Sequence, residues 1–214
     1  MDLTRLINIQ KKISSNIVIK EFKKEIKRVL SFDVSFEGNL GWGVGLLFDD
    51  KLKIIKKEFL FKKVNFPYIP TFLAFREMEF LEDLYKKIKT KSDVVLIDGQ
   101  GMAHPRKCGI ATHFGVIHKI LTIGVAKSHL YGKYEKSENK KFSFNYLYDN
   151  KGEIIGAALV TRENTKPIFI SPGNLIDTDS SLEIVKKFIT KYRLPEPLRM
   201  AHIESNHYRL SSVH

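Results

Sequence analysis

The segment from Asp93 to Val116 holds the residue types that point most directly to chemistry. Residues 94–97 are four consecutive apolar side chains, a pattern that predicts a central strand covered on both faces. Asp98 follows at the carboxyl end of this strand, where open α/β sheets usually bind ligands. Gly99 and Gly101 let a ligand approach the backbone, and a His-Pro-Arg sequence at 104–106 adds positive charge. This loop suits phosphate or a metal ion, but an ordinary Asp-Gly turn explains it about equally well.

A second carboxylate points into the predicted core. On a helix predicted over residues 72–90, Glu77 lies in the middle of an apolar sector of about 100°. The other residues of that sector are Leu73, Phe80, Leu81, Leu84 and Ile88. Because an unpaired buried charge is costly, Glu77 must be ion-paired, protonated, bound to a metal or placed at the open edge of the core. A buried ion pair is the alternative without a catalytic role.

A third carboxylate, Asp33, lies in the middle of the first predicted strand, a position that disfavours aspartate. By itself it could face solvent. If the Asp98 strand lies beside the first strand, however, Asp33 and Asp98 become neighbours. Together with Glu77 they would make an oxygen-rich site suited to Mg²⁺ or Mn²⁺. Such an ion can polarise a phosphodiester and generate hydroxide from water at neutral pH.

Hydrophobic periodicity predicts the elements that would position these carboxylates. The amino-terminal half should contain a helix over about 2–26, three strands in a meander (29–36, 42–48 and 52–61) and the helix over 72–90. The Asp98 strand, a helix over 107–120 and a strand over 121–127 continue as β-α-β-α-β, which indicates parallel strands. We then expect a charged loop at 133–141, a hairpin from 153–160 and 167–170, a helix over 180–192 capped by Asp179 or Ser180, and a short last helix after Pro197.

Composition limits the function classes. The 214 residues carry a formal net charge of +12, with a pI near 9.6, which favours a polyanionic partner, although a lysine-rich proteome would give the same charge. The one cysteine, Cys108, excludes an intramolecular disulfide and suggests a reducing compartment. The sequence has neither an apolar run long enough for a membrane span nor a signal-peptide core, so we expect a cytoplasmic protein without a membrane partner.

Several motifs together resemble the endonuclease V family, deoxyinosine 3′ endonucleases with a ribonuclease H-like fold. They are FDVSF at 32–36, PYIPTFLAFRE at 67–77, DGQGMAHPRKCGIATHFGV at 98–116, TIGVAKS at 122–128 and LPEPLRMAH at 194–202. The resemblance covers nearly the whole chain. It implies an α/β fold in which a mixed five-stranded sheet of order 3-2-1-4-5 is flanked by helices, within a single domain over residues 1–214.

The resemblance also implies a role for each carboxylate. Asp33 and Asp98 match the metal-binding aspartates of the family, and Glu77 matches the glutamate that completes the acidic site. Mg²⁺ is the expected cofactor, with Mn²⁺ as a substitute. His202 would support the metal site.

Further site residues follow from the same resemblance. His104 matches a histidine near the metal and the scissile phosphate, and Lys127 matches a lysine that neutralises the transition-state phosphate. Tyr68 matches a wedge that separates the strands. The base pocket would be formed by Leu73, Gly99, Gly101, Ile110 and Leu130. Thr71 departs from the family, which usually has glycine there, and this residue could instead cap the following helix.

The function implied is a Mg²⁺-dependent DNA repair endonuclease, acting as a monomer on single- or double-stranded DNA that contains deoxyinosine. It would hydrolyse the second phosphodiester bond on the 3′ side of the lesion and leave a 3′-hydroxyl and a 5′-phosphate. Two alternatives remain: an inosine-specific endoribonuclease, and a catalytically weak module that binds inosine-containing nucleic acid.

Overall fold

Eight strands form one sheet at the centre of the computed structural model, which describes residues 2–212. In chain order the strands are β1 Arg28–Glu37, β2 Leu40–Asp49, β3 Ile54–Lys63, β4 Val94–Asp98, β5 Thr122–Ala126, β6 Phe144–Tyr148, β7 Ile154–Leu159 and β8 Ile168–Asn174. Their order across the sheet is β3-β2-β1-β4-β5-β8-β7-β6. The helices are α1 Leu3–Ser14, α2 Leu73–Ile88, α3 Ile110–His118, α4 Thr178–Lys187 and α5 Glu196–Ser211.

The predicted order 3-2-1-4-5 is confirmed for the first five strands, but the prediction that the sheet stops there is wrong. The hairpin of β7 and β8 joins the sheet through an antiparallel pairing of β8 with β5. The edge strand β6 lies outside every element predicted from the sequence and pairs with β7. A hairpin pattern predicts that two strands pair with each other, but it does not show which sheet they extend.

The strand register brings two of the carboxylates together. β1 and β4 are parallel, and Phe32 lies opposite Ile97, so that Asp33 in the middle of β1 follows beside Asp98 at the end of β4. On its other side, Asp98 pairs with Val125 of β5. Because side chains alternate along a strand, Lys127 leaves β5 on the same face as Val125. The predicted neighbourhood of Asp33 and Asp98 is therefore confirmed.

The two larger hydrophobic cores lie on opposite faces of the sheet. The apolar sector of α2 packs with α3 against one face, where Phe80, Leu81, Leu84 and Ile88 are buried. α4 and α5 cover the other face. The polar side of β1 attaches α5 there, because the Ser31 hydroxyl donates to the Pro197 carbonyl at 2.9 Å and the Ser35 hydroxyl to the Ser205 carbonyl at 3.0 Å. This side of β1 packs against a helix, and so the serines are buried.

The ends of the chain differ most from the predictions. α1 ends at Ser14, and the helix predicted up to residue 26 is wrong. The segment after it hydrogen bonds to distant parts of the fold: the Val18 amide donates to Asn174 Oδ1 at 3.0 Å, and the Phe22 amide to Ser180 Oγ at 2.9 Å. α5 is 16 residues long and therefore not short. None of the helices within residues 2–212 combines the length and the apolar character that a membrane crossing needs.

The cap predicted for α4 is also different. The N-cap residue is Asp177, whose side chain accepts a hydrogen bond from the Ser180 amide at 2.8 Å. Neither Asp179 nor Ser180 is the N-cap, because the helix begins at Thr178, earlier than the apolar pattern indicates.

We expect Gly124→Ala to lower the free energy of unfolding by about 1–3 kcal/mol, as overpacking in a close-packed interior usually does. A Cβ atom at Gly124 of β5 would lie 2.4 Å from the Gly101 amide nitrogen and 2.7 Å from the Gly99 carbonyl oxygen. Both contacts are with backbone, which cannot rotate away. Urea denaturation of the two proteins measures the difference. Without the clash, alanine would stabilise the fold slightly by restricting the unfolded chain, so an unchanged or higher stability would contradict this packing.

Candidate active site

Eleven of the twelve predicted site residues line one cavity of about 490 Å³, beside the middle of β1 and the carboxyl ends of β4 and β5. Asp33 comes from β1, Asp98 from β4, Glu77 from α2, Lys127 from the end of β5, and His202 from α5. Because α2 and α5 cover opposite faces of the sheet, the site lies where the two cores meet, at the carboxyl ends of the central strands β4 and β5. This placement is typical of ligand sites in α/β proteins.

Asp98 and Lys127 form an ion pair, with 2.6 Å between Oδ2 and Nζ. Burial raises the pKa of Asp98 above its usual value, although the Lys127 ammonium group opposes the shift. The backbone of Lys127 is also held, since Arg193 Nη2 donates to its carbonyl oxygen at 2.6 Å. Lys127 is therefore a fixed positive charge beside the carboxylates, with its side chain about one third exposed.

Two residues of α5 bind Asp33. The Ser205 hydroxyl donates to Asp33 Oδ2, and His202 Nδ1 lies 3.4 Å from Asp33 Oδ1. The hydrogen bond to Asp33 raises the pKa of His202. His202 is thus close to the carboxylates, as expected for a supporting residue. Ser205 is fully buried and was not predicted, because its importance depends on the docking of α5 against β1.

The pKa of Glu77 is strongly perturbed by its surroundings. Burial raises its pKa well above the usual value, and the neighbouring Asp33 and Asp98 carboxylates raise it further. The inward direction predicted for Glu77 from helical periodicity is confirmed by its place in the wall of the cavity. Three carboxylates that share one pocket repel one another, and a cation relieves this repulsion.

The donor chemistry of these carboxylates fits a hard divalent ion, which prefers oxygen ligands. Within the described residues 2–212, no three His, Cys, Asp or Glu side chains stand in an arrangement that could hold a metal ion. The carboxylates instead point at protein partners: Asp98 at Lys127, and Asp33 at Ser205 and His202. Holding an ion here would require them to exchange at least some of these partners for it.

His104 lies in the wall of the same cavity, but its ring is fully engaged by the backbone. Nδ1 accepts hydrogen bonds from the Arg106 amide at 3.1 Å and the Cys108 amide at 3.4 Å. Nε2 lies 2.9 Å from the Thr71 carbonyl oxygen and therefore carries the ring proton, since a carbonyl can only accept. Burial lowers the pKa of His104 to about 4, so the ring is neutral at pH 7. In this arrangement neither nitrogen is free to contact a phosphate.

Four of the five residues predicted to form a base pocket lie in the wall of this cavity. Leu73, Gly99, Ile110 and Leu130 line the cavity. Gly101 does not: its amide donates to Ser171 Oγ at 2.8 Å, and its carbonyl accepts from the Gly109 amide at 3.0 Å. Gly101 lies behind the wall, packed against the Pro172 carbonyl, where no side chain would fit. Its role is to allow close packing of the backbone.

Tyr68 stands at the rim of this cavity with 68% of its surface exposed, which leaves its side chain free to contact a large ligand. Thr71, three residues later, does not cap α2. The N-cap of α2 is Phe72, which has no side-chain capping bond, and Thr71 has a left-handed backbone with φ of 69°. A β-branched residue rarely adopts this conformation.

Other residues of the cavity wall were missed by the sequence predictions. Gln100 is buried, and its Nε2 donates to the Ser128 carbonyl at 3.1 Å. Asn206 and Arg209 extend the wall along α5. Asn206 follows His202 by four residues and Arg209 follows Ser205 by four, which places them on neighbouring parts of the helix surface, a signal that depends on recognising a long α5.

Comparisons with known proteins identify a family to which the chain is similar. The family model described as Endonuclease V matches residues 10–203. The chain is 48% identical over 198 residues to Endonuclease V of Thermosipho melanesiensis, covering 92% of this chain and 87% of the relative. It is 41% identical over 210 residues to Endonuclease V of Kosmotoga olearia, covering 98% and 93% of the two chains.

Solved structures show the same fold. Endonuclease V from Bacillus subtilis superposes with a TM-score of 0.90 at 29% identity, covering 99% of this chain and 94% of that one. Ciona intestinalis Endonuclease V, in complex with a 24mer DNA containing an inosine followed by a ribo-adenosine, gives a TM-score of 0.86 at 26% identity, with 99% of each chain covered. The motifs, the arrangement of the acidic cavity and these relatives lead to one conclusion: the chain belongs to the endonuclease V family.

Proposed function

We propose that this nuclease recognises deoxyinosine in DNA and hydrolyses the second phosphodiester bond 3′ to it, as an initiating step of DNA repair. The observation that carries the proposal is the convergence of Asp33, Glu77, Asp98 and Lys127 on one cavity with Tyr68 at its rim. The first four supply the charges that phosphodiester hydrolysis needs. The rest of the cavity is lined largely by apolar side chains and backbone, which suit a planar base.

Substrate choice is supported by a relative. The Ciona intestinalis protein was crystallised with DNA that contains an inosine, in two complexes. A base that is read inside a protein pocket must first leave the helical stack, which costs a few kcal/mol and less when the base is weakly paired. Hypoxanthine pairs weakly, so the proposed pocket would take it more readily than a normal base. The exposed Tyr68 is placed to fill the gap that the base leaves.

Asp33, Asp98 and Glu77 are the residues that would hold Mg²⁺, or Mn²⁺ in its place. When bound, such an ion polarises the phosphodiester and makes hydroxide available near neutral pH. His202 and Ser205 would orient Asp33, because partners of a ligating carboxylate fix its direction.

Lys127 and His104 would also take part in the hydrolysis. Lys127 would stabilise negative charge on the phosphate oxygens, since an ammonium group in a partly buried site acts strongly on developing charge. Water adds to phosphorus while the bond from phosphorus to the 3′ oxygen breaks. The 3′ oxygen leaves with a proton as a hydroxyl group, and the phosphate stays on the 5′ end of the downstream strand. His104, neutral and fully hydrogen-bonded, would act by holding the loop around it rather than by touching the phosphate.

One observation favours a second candidate. The DNA of the Ciona intestinalis complexes carries a ribo-adenosine after the inosine, so a site of this architecture accommodates a 2′-hydroxyl at that position in the relative. An inosine-specific endoribonuclease would use the same carboxylates on another backbone.

We expect the purified protein to nick a DNA oligonucleotide containing one inosine in the presence of Mg²⁺, one nucleotide beyond the lesion. Asp98→Ala should lose this activity at least a hundredfold and still bind the oligonucleotide, because it removes a proposed metal ligand but leaves the base pocket intact. Gel analysis of DNA and RNA strands of the same sequence measures both substrates. If the protein cuts only the RNA strand, it is an inosine-specific endoribonuclease. If it cuts neither strand, the result favours a module that binds inosine-containing nucleic acid.

We also expect Ser205→Ala to raise the Mg²⁺ concentration for half-maximal nicking about tenfold, because outer partners of metal ligands contribute about that much to affinity. The substitution removes the hydroxyl that orients Asp33. Calorimetric titration of the protein with Mg²⁺ should show the same shift. Ser211→Ala is the matched control, since Ser211 lies exposed on the same helix and bonds locally to the Tyr208 carbonyl. Equal Mg²⁺ dependence in both variants would remove Ser205 from the site.

A further inference from the structure

The loop that carries Tyr68 ends in a strained residue. Thr71 has a left-handed backbone, with φ of 69°, two residues before α2 begins at Leu73. L-residues with a branched Cβ occupy this region only when their surroundings hold them there. The conformation of the Tyr68 loop therefore depends on what binds Thr71.

Three side chains hold the backbone carbonyl of Thr71. It accepts hydrogen bonds from Gln10 Nε2 at 2.8 Å, His104 Nε2 at 2.9 Å and Arg106 Nη2 at 3.1 Å. Arg106 Nη2 also donates to the Thr71 hydroxyl at 2.6 Å. A glycine at this position could adopt the same φ without strain, but it would lack the hydroxyl bond. Compared with glycine, Thr71 has a strained backbone but gains a hydrogen bond to Arg106.

The donors in turn hold one another. Gln10 Oε1 accepts from Arg106 Nε at 2.5 Å, and Gln10 Nε2 also lies 3.3 Å from the Cys108 carbonyl oxygen. The Arg106 guanidinium stacks on the Phe72 ring, 4.7 Å from its centroid. Gln10 and His104 are almost completely buried, with 1% and 2% of their surfaces exposed. A buried polar network in which each member is paired is rigid, because any displacement leaves a donor or acceptor unsatisfied.

We propose that Gln10 of α1, acting with His104 and Arg106, is a positioning residue that fixes the Tyr68 loop for strand separation. We call these three residues and Thr71 the loop clamp. Gln10 contributes both a donor to Thr71 and an acceptor to Arg106, so it joins the first helix to the loop at the rim of the cavity. The inference rests on the proposed function, in which Tyr68 fills the space of a displaced base. A loop that moves freely cannot hold an aromatic ring in a helical stack.

The loop clamp should matter for duplex DNA and not for single strands, since a single strand needs no separation. We expect Gln10→Leu to lower the single-turnover nicking rate on an inosine-containing duplex about tenfold, as small misplacements of a positioned group commonly do. On the same strand without its complement, the rate should stay within about twofold of the parent protein. A general loss of folded protein would lower both rates equally, so the ratio of the two identifies a positioning role.

Asn8→Leu is the matched control, because Asn8 lies exposed on the same helix and undergoes the same change from amide to leucine. Its duplex to single-strand ratio should equal that of the parent protein. Tyr68→Ala should reproduce the selective loss on duplex DNA, and combining it with Gln10→Leu should add little, since both changes remove one function. Additive losses, or a Gln10→Leu ratio equal to that of the control, would overturn the proposal.

Hydrogen exchange tests the loop clamp without any activity. In the free protein, amides of residues 66–73 should exchange faster in Gln10→Leu than in Asn8→Leu, while the amides of β4 and β5 remain unchanged. Equal exchange at 66–73 would refute the clamp even if nicking changed. If the parent protein nicks neither form of the inosine strand, the proposed function fails, and the exchange result still decides whether Gln10 holds the loop. Should Gln10→Leu fail to fold, Gln10→Glu serves instead, because it keeps an acceptor for Arg106 and loses the donor to Thr71.

Discussion

Three carboxylates are crowded into one partly buried cavity, where their charges repel one another. Parallel pairing of β1 with β4 places Asp33 beside Asp98, and α2 adds Glu77 from the opposite core. Burial and mutual repulsion raise the pKa of Glu77 well above its usual value. A fold keeps such groups together only when other interactions compensate. Lys127 offsets the charge of Asp98, and Ser205 and His202 bind Asp33, so each of two carboxylates has partners from an element other than its own.

Because the carboxylates need these partners, elements far apart in the sequence must dock accurately. α5 reaches Asp33 only because buried serines of β1 bind the backbone of the helix at Pro197 and Ser205. The end of β5 presents Lys127 in a fixed direction because Arg193 binds the Lys127 carbonyl. These hydrogen bonds therefore position the elements that supply partners to the carboxylates. An apolar interface could slide by an ångström, whereas directional hydrogen bonds set the position of each carboxylate partner.

The loop between β4 and α3 serves two purposes through one set of contacts. Its glycines pack backbone against backbone with β5 and β8, which brings the Gly99 end of the loop to the wall of the cavity. Its His104 and Arg106 turn away from the carboxylates and bind Thr71 at the base of the Tyr68 loop. The His-Pro-Arg motif thus links the acidic site to the rim. This link accounts for a histidine that lines the cavity and yet has no ring nitrogen free for a ligand.

Local features were predictable from hydrophobic periodicity and from the family motifs. Alternation and apolar runs predicted β1 to β5, and helical spacing predicted the inward Glu77, because these signals arise within one element. The strand order was implied by the family resemblance. Features that depend on contacts between distant segments were not predictable in this way. The end of α1 and the contact of Ser205 with Asp33 result from hydrogen bonds across 150 or more residues. The extension of the sheet by strands β6, β7 and β8 results from strand pairing. The role of His104 also depends on tertiary structure. The His-Pro-Arg motif points to this residue, but its burial against the Thr71 carbonyl determines what its ring nitrogens can bind.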